Sequence, residues 1–261
     1  MAVKQLNVKA DKEYWDSLWE QNSYDKTKFY ARSFKQYKIM KKFSDKKYPI
    51  LEGGCGLSHW VDIFNEENYD IYGVDYAPKV VEMINKKKPE LKISLGDVFN
   101  LNFKDEFFGT YFSWGVVEHF EEGPEKIIKE ANRVLKPGGK LLISVPFWNK
   151  SRKKYYGDVE SIGDGDFYQY LFEKKEFSKI LENNGFKIKK VYPLNWIKCY
   201  RQLRKNNSSK NSQTKFKTKS IIKRDNNIKT LLKKFLIKIQ DFRLFTNQMG
   251  HMILFVAQKK Y

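Results

Sequence analysis

The chain reads as an α/β protein with a Rossmann-like, doubly wound, mostly parallel sheet of seven strands. The last strand is expected to be antiparallel, a helical preamble precedes the sheet, and a basic insertion interrupts it before that last strand. Three observations predict this. Short apolar runs alternate with segments of helical periodicity from Tyr48 onward. The first run ends in an acid and a glycine-rich turn, Ile50-Leu51-Glu52-Gly53-Gly54-Cys55-Gly56-Leu57. About 20 residues later a second run, Tyr72-Gly73-Val74-Asp75, ends in another acid, the spacing of a nucleoside pocket at the carboxyl edge of a parallel sheet.

The elements follow in order. Asp11 to Gln21 reads as an amphipathic helix with Asp11 as N-cap and Tyr14, Trp15, Leu18 and Trp19 on one face. Phe29-Tyr30 and the run from Phe34 to Phe43 continue an aromatic-rich helical preamble. Strands are predicted at Tyr48–Glu52, Asp70–Asp75, Leu91–Leu95, Gly109–Trp114 and Lys140–Val145. Helices separate them. One opens at Trp60 to Phe64, and Val80, Val81 and Ile84 mark the next. A third starts at Pro124, with Ile127, Ile128, Ala131, Val134 and Leu135 on its apolar face. Lys136-Pro137-Gly138-Gly139 stops that helix. Phe147 to Tyr170 reads as a loop, and a helix then carries Phe177, Ile180 and Leu181 inward and ends at Gly185. Phe186 to Tyr192 is a sixth strand and His251 to Gln258 the last. Residues 1–47 thus form a helical lid, 48–192 with 248–261 the core, and 193–247 an insertion within the same domain.

At 261 residues, 41% of them hydrophobic and 16% aromatic, the chain can bury one large core plus an insertion. No apolar run approaches the ~20 residues of a membrane span, and Met1-Ala2-Val3-Lys4-Gln5 lacks a signal core. Cys55 and Cys199 make neither a disulfide framework nor a zinc spacing, so no metal and a cytoplasmic location are expected. Between 193 and 247 stand 15 Lys/Arg against two Asp and no Glu, which places +13 of the net charge of +19 in the insertion. Arg204 to Lys219 reads as a mobile loop. Ile228, Leu231, Leu232, Phe235, Leu236 and Ile239 then form a helical stripe flanked by lysines. Such a basic amphipathic helix suits either packing on the domain or peripheral contact, through 228–240, with an anionic inner membrane face.

Glu52 bears on the ligand. A carboxylate beside the glycine turn repels a pyrophosphate and suits a ligand carrying an ammonium and a sulfonium, such as S-adenosylmethionine. A nicotinamide oxidoreductase also needs a third glycine where His59 stands. That histidine reads instead as a helix-start residue.

On these motifs the chain resembles the class I S-adenosylmethionine-dependent methyltransferases, especially the small-molecule branch that includes the ubiquinone-biosynthesis type. The resemblance rests on Glu52-Gly53-Gly54-Cys55-Gly56, the acid Asp75, Gly96-Asp97-Val98, Ser113-Trp114-Gly115-Val116-Val117-Glu118-His119, Arg133-Val134-Leu135-Lys136-Pro137-Gly138-Gly139 and the final Gly250 to Val256. It departs from the family at Ser58, where a third glycine is common. The resemblance implies that Gly53, Gly54, Cys55 and Gly56 bring backbone close to the methionine part of the cofactor. It implies that Asp75 accepts from the ribose hydroxyls, Tyr76 packs against adenine, and Asp97 and Val98 meet the adenine edge. Backbone around Ser113 and Trp114 is then expected over the sulfonium.

Methyl transfer at a sulfonium asks the protein to position an acceptor, exclude water and, where needed, take a proton. His119 is the candidate general base, since its ordinary pKa lies near neutrality. Glu118 is expected to orient it, bind a metal or cap a helix. Strand four lacks the Asn/Asp-Pro-Pro-aromatic motif of exocyclic-amine nucleic-acid enzymes, and a Pro-Cys nucleophile is missing. These absences leave oxygen, nitrogen or activated carbon of a small or lipid- or glycan-linked acceptor, with O-methylation favoured, and make nucleic acid the lesser partner. Tyr14, Trp15, Trp19, Phe147, Trp148, Tyr155, Tyr156, Tyr168 and Tyr170 are expected either to roof the acceptor or to fill the lid's own core. The alternatives are an RNA methyltransferase gripping phosphates with 193–247 and a non-catalytic binder of the same fold.

Overall fold

The computed structural model describes residues 2–22, 24–211, 246 and 248–261, with side chains omitted at 26, 27 and 205–211. The elements are β1 (Val3–Asn7), α1 (Lys12–Glu20), α2 (Tyr24–Ala31), α3 (Lys35–Phe43), β2 (Ile50–Gly53), α4 (His59–Glu66), β3 (Ile71–Asp75), α5 (Pro78–Lys87), β4 (Lys92–Leu95) and β5 (Phe108–Trp114). A 3-10 turn (Val117–His119) leads to α6 (Glu125–Val134), β6 (Leu135–Pro146), α7 (Lys150–Tyr156), β7 (Ser161–Ile162), β8 (Asp166–Leu171), α8 (Lys174–Asn183), β9 (Phe186–Leu194), α9 (Trp196–Asn211) and β10 (Met252–Lys259).

The main sheet has seven strands in the order β4-β3-β2-β5-β6-β10-β9. β2 pairs in parallel with both β3 and β5, β3 with β4, and β5 with β6. β10 runs antiparallel to β6 and β9. Strand order therefore reverses at β2, and a crevice opens there at the carboxyl edge.

Both faces of the sheet are covered, so inward residues alternate between two cores. Along β10, Leu254 and Val256 join one core, with Ile39, Met40, Phe64 and Ile84 of the helices on that side. Ile253, Phe255 and Ala257 join the other, with Ile128, Val134 and Phe177. The lid is tied to α4 by charge. Tyr24 and Lys28 both bond the buried carboxylate of Asp62, and Arg32 and Lys41 reach Glu66 at 2.8 Å and Glu67 at 2.5 Å.

The strands match the sequence expectation to within a few residues, and four regions differ. The N-terminal segment begins with a strand, β1, which sits between β7 and β8 in a separate three-stranded sheet. Both β7 and β8, with α7, lie in the stretch read as loop. These strands are short, and most of their side chains are only partly buried, so neither shows a clean alternation. The Pro-Gly-Gly turn is a bulge within β6: Leu135 pairs with Phe108 and Lys140 with Thr110, the register shifting between. Arg204 to Asn211, expected to begin a mobile loop, belong to α9, and the rest of that stretch, 212–219, lies outside the described residues. The amphipathic stripe at 228–240 lies outside the described residues. Among the described residues no helix is long and apolar enough to cross a membrane.

Candidate active site

A cavity with about 980 Å3 of empty space, part of it open to solvent, lies at the carboxyl ends of β2, β3, β4 and β5. Of the residues the sequence singles out, Glu52, Gly54, Cys55, Asp75, Tyr76, Asp97, Val98, Trp114 and His119 line it. Gly53, Gly56, Ser113 and Glu118 do not.

Asp75 ends β3 and organises the turn opposite it. Its Oδ2 accepts from Gly56 N–H at 2.7 Å and its Oδ1 from Ala77 N–H at 3.0 Å. Burial pushes this carboxyl up, against the pull of the Ala77, Gly56 and Tyr76 N–H groups. Each oxygen keeps a lone pair, which a vicinal diol can fill. At the rim, Asp97 Oδ1 accepts from Phe99 N–H at 2.9 Å, which fixes the side chain beside the Val98 backbone.

The glycines do two different things. Gly54 sits at φ +72, and a Cβ there would lie 2.4 Å from Val116 Cγ2. Gly56 sits at φ +47, but the room its missing Cβ leaves is taken by Trp19, whose Cζ2 would be 2.7 Å away. Gly53 keeps clear of the buried Tyr111 ring. Only Gly54 of the three leaves backbone bare to the cavity. We predict that Gly54→Ala, strained at positive φ and clashing, weakens S-adenosylhomocysteine binding at least about tenfold and lowers Tm, both readable by calorimetry.

The cofactor's fit can be judged from two unpaired groups. Among the described residues, Glu52 Oε2 and Trp114 Nε1 are buried polar atoms without a hydrogen-bond partner, and both residues line the cavity. Burial and then the Asp75 charge push the Glu52 carboxyl well above its ordinary range. A carboxyl group, which an arriving ammonium can ionise, and an N–H donor at the glycine-turn end complement the ammonium and carboxylate of a methionine moiety. The residues present fit S-adenosylmethionine.

Above this floor lies the lid. Trp15 and Trp19 of α1 stack with centroids 6.2 Å apart, and both line the cavity with Ala10. Tyr76 donates to the Ala10 carbonyl at 3.3 Å, closing the segment over the cavity. The His119 ring stands edge-on to Trp15 at 4.8 Å and to Tyr168 at 5.0 Å. Its Nδ1 lies 2.8 Å from the Tyr168 carbonyl. A carbonyl can only accept, so Nδ1 carries the proton and Nε2 the lone pair. Burial holds this imidazole neutral, with its pKa down to about 4.

Of the roles expected of Glu118, the first, orienting His119, falls to another group. Glu118 is 1% exposed, its Oε1 lies beneath Gly115 (3.4 Å from a Cβ position there), and its Oε2 has no partner among the described residues. His119 takes its orientation from a backbone carbonyl of β8 instead. Of the expected aromatic roof, Trp15, Trp19, Tyr14 and Tyr168 gather near the cavity. Trp148 and Tyr156 stack on each other beside the small sheet, and Tyr170 donates to the Glu121 carbonyl. His59, expected only to start a helix, does open α4, but it also lines the cavity, its pKa held near 4 by burial. Its place directly after the glycine turn is the signal that could have marked it.

This fold and site define a class I S-adenosylmethionine-dependent methyltransferase domain. Residues 51–143 match the family model described as a methyltransferase domain. An uncharacterised protein from Methanocaldococcus jannaschii is 32% identical over 52% of this chain and 63% of its own length. A human protein named "Probable tRNA methyltransferase 9B" is 33% identical over 43% of this chain and 24% of its own. The 2-methyl-6-phytyl-1,4-hydroquinone methyltransferase of Arabidopsis thaliana is 28% identical over 62% of this chain and 46% of its own. The chain thus spans from about a quarter to just under two thirds of the length of these relatives. A SAM-dependent methyltransferase from Archaeoglobus fulgidus superposes with a TM-score of 0.57 at 16% identity, over 94% of this chain and 100% of that one, a likeness of fold.

Proposed function

We propose that this chain transfers a methyl group from S-adenosylmethionine to a hydroxyl oxygen of a small or lipid- or glycan-linked acceptor. The observation that carries the reading is His119: neutral, anchored through Nδ1, and with Nε2 left as an acceptor in the wall of the cavity. The cofactor supplies an activated methyl group when bound. The chain's own residues do the rest. Glu52, Asp75 and Asp97 hold the donor, Trp15 and Trp19 exclude water, and Nε2 of His119 accepts the acceptor's hydroxyl proton. A weakly basic imidazole suffices, because that proton becomes strongly acidic as the O–C bond forms.

A lipid-linked acceptor suits peripheral membrane contact through 228–240. A second reading, methylation of RNA, draws on the +13 charge between 193 and 247 and on the relative named for tRNA. Radiolabelled methyl transfer into hydroxylated small molecules, polyprenyl-linked sugars and, separately, RNA distinguishes them. His119→Ala is expected to cut incorporation at least about 100-fold while S-adenosylhomocysteine affinity stays within about threefold. Equal loss of cofactor affinity would move His119 from the acceptor side to the cofactor side, and incorporation into RNA alone would replace the first reading by the second.

A further inference from the structure

The carboxyl edge of the sheet carries a second group of charges that methyl transfer does not use. Arg152 on α7 is 2% exposed. Its Nη1 donates to the carbonyls of Phe147 at 2.6 Å and His251 at 3.2 Å. Its Nη2 donates to Gln202 Oε1 at 3.0 Å and His251 Nδ1 at 2.9 Å. Asn149 ties the cluster together, donating to Cys199 Sγ at 3.3 Å and to the Gly250 carbonyl at 2.8 Å. Lys198, the residue before Cys199, leaves part of its surface exposed, and burial of its ammonium, then the Arg152 charge, lowers its pKa. Burial and these two cations hold His251 neutral, with its pKa down to about 2. Since Arg152 donates to Nδ1, the His251 proton sits on Nε2. The carbonyls, the amide and the imidazole around Arg152 are therefore all neutral, and no carboxylate among the described residues bears on its guanidinium.

The arrangement is satisfied in hydrogen bonds and unbalanced in charge. A buried cation among neutral dipoles is costly without an anion, and a second cation beside it adds repulsion. Two donors remain uncommitted among the described residues: the Lys198 ammonium and the His251 Nε2–H. Together with the Arg152 field they match a dianionic oxyanion, with two positive charges and two donors.

The cluster also lies where an acceptor would extend. Met252 follows His251, and its Cε is 3.9 Å from the Cβ position of Gly115, in the cavity wall. Met252 pairs with Pro146, and Ser144 of the same strand with Trp114. Two strand spacings put the cluster about 10 Å from the end of β5.

We propose that Lys198 and His251, backed by the buried Arg152 charge, form an oxyanion subsite that takes the phosphate group of a small phosphorylated methyl acceptor. The ligand's role as methyl acceptor rests on the methyltransferase reading above; the oxyanion site itself does not.

The test uses inorganic pyrophosphate as probe and the full chain labelled with 15N-histidine. Pyrophosphate is expected to move the His251 Nε2 resonance, and Lys198→Ala to weaken that binding about tenfold. A thermal melt checks that Lys198→Ala is folded, and its S-adenosylhomocysteine affinity is expected to match the wild type. A resonance that pyrophosphate does not move, or moves equally in Lys198→Ala, overturns the subsite. A short RNA that moves it at lower concentration than pyrophosphate overturns the small-acceptor assignment. If the wild type fails to bind S-adenosylhomocysteine, the methyltransferase reading falls while the pyrophosphate result still decides the subsite.

Discussion

Asp75→Ala is expected to weaken S-adenosylhomocysteine binding by at least about 100-fold, because the carboxylate that anchors the turn is also the one expected to accept from the ribose hydroxyls. The Gly56 and Ala77 N–H groups from which it accepts belong to separate segments, one in the glycine turn and one at the start of α5. Removing the carboxylate leaves two buried N–H donors unpaired and frees the turn from its anchor. Hydrogen bonds to a charged group contribute roughly 1.5–3 kcal/mol each, so losing two ribose contacts alone accounts for a factor near 100 or more. Asp75→Asn separates the contributions. It keeps one acceptor oxygen and the side-chain volume, and so is expected to recover part of the Tm but little of the affinity. Calorimetric titration with a parallel thermal melt reads both. Unchanged affinity in Asp75→Ala would remove the ribose from this end of the crevice and with it the placement of the whole cofactor.

The parts of this site that are legible in the sequence are those built by local backbone. Glu52, Gly54 and Asp75 sit at strand ends and turns, where an acid or a glycine has a positional reason visible within a few residues. What stays hidden depends on pairing between distant segments. Tyr168 reaches His119 across 49 residues through its backbone carbonyl, an atom every residue has and no pattern marks. β1 lies between strands more than 150 positions away, each too short to show alternation. Trp19 fills the space over Gly56, which the motif assigns to the ligand, because the chain's own lid reaches that position first. Adjacent in sequence, Glu118 and His119 read as a working pair; the 3-10 turn that carries them sends one side chain beneath Gly115 and the other to the cavity.

That buried carboxyl carries the largest expected effect on stability. Burial pushes Glu118 up from its ordinary 4.5 to about 8. Between those two values the folded chain holds a proton that the unfolded chain has released, so the proton number favours the folded side and stability falls as pH rises. A tenfold difference in proton affinity between the two states is worth about 1.4 kcal/mol, which sets a ceiling of about 5 kcal/mol, and relaxation of the site leaves about 3 kcal/mol as the expected loss by pH 8. Glutamine has the same shape and no proton to lose. Glu118→Gln is therefore expected to match the wild type near pH 4.5 and to exceed it by about 3 kcal/mol at pH 8, a rise in Tm of roughly 6–12 °C for a chain of this size. The wild-type profile alone does not isolate this slope. His59 and His119, both held near 4, are neutral in the folded chain where the unfolded chain takes up protons, so they remove stability as pH falls through 6.5 toward 4. Those contributions are common to both proteins and cancel in the difference between the two melting curves. A difference that grows from pH 4.5 to 8 identifies Glu118 as a proton-holding carboxyl beneath the strand-four loop; parallel curves would show that it is ionised in the folded chain, with a counter-charge beside it.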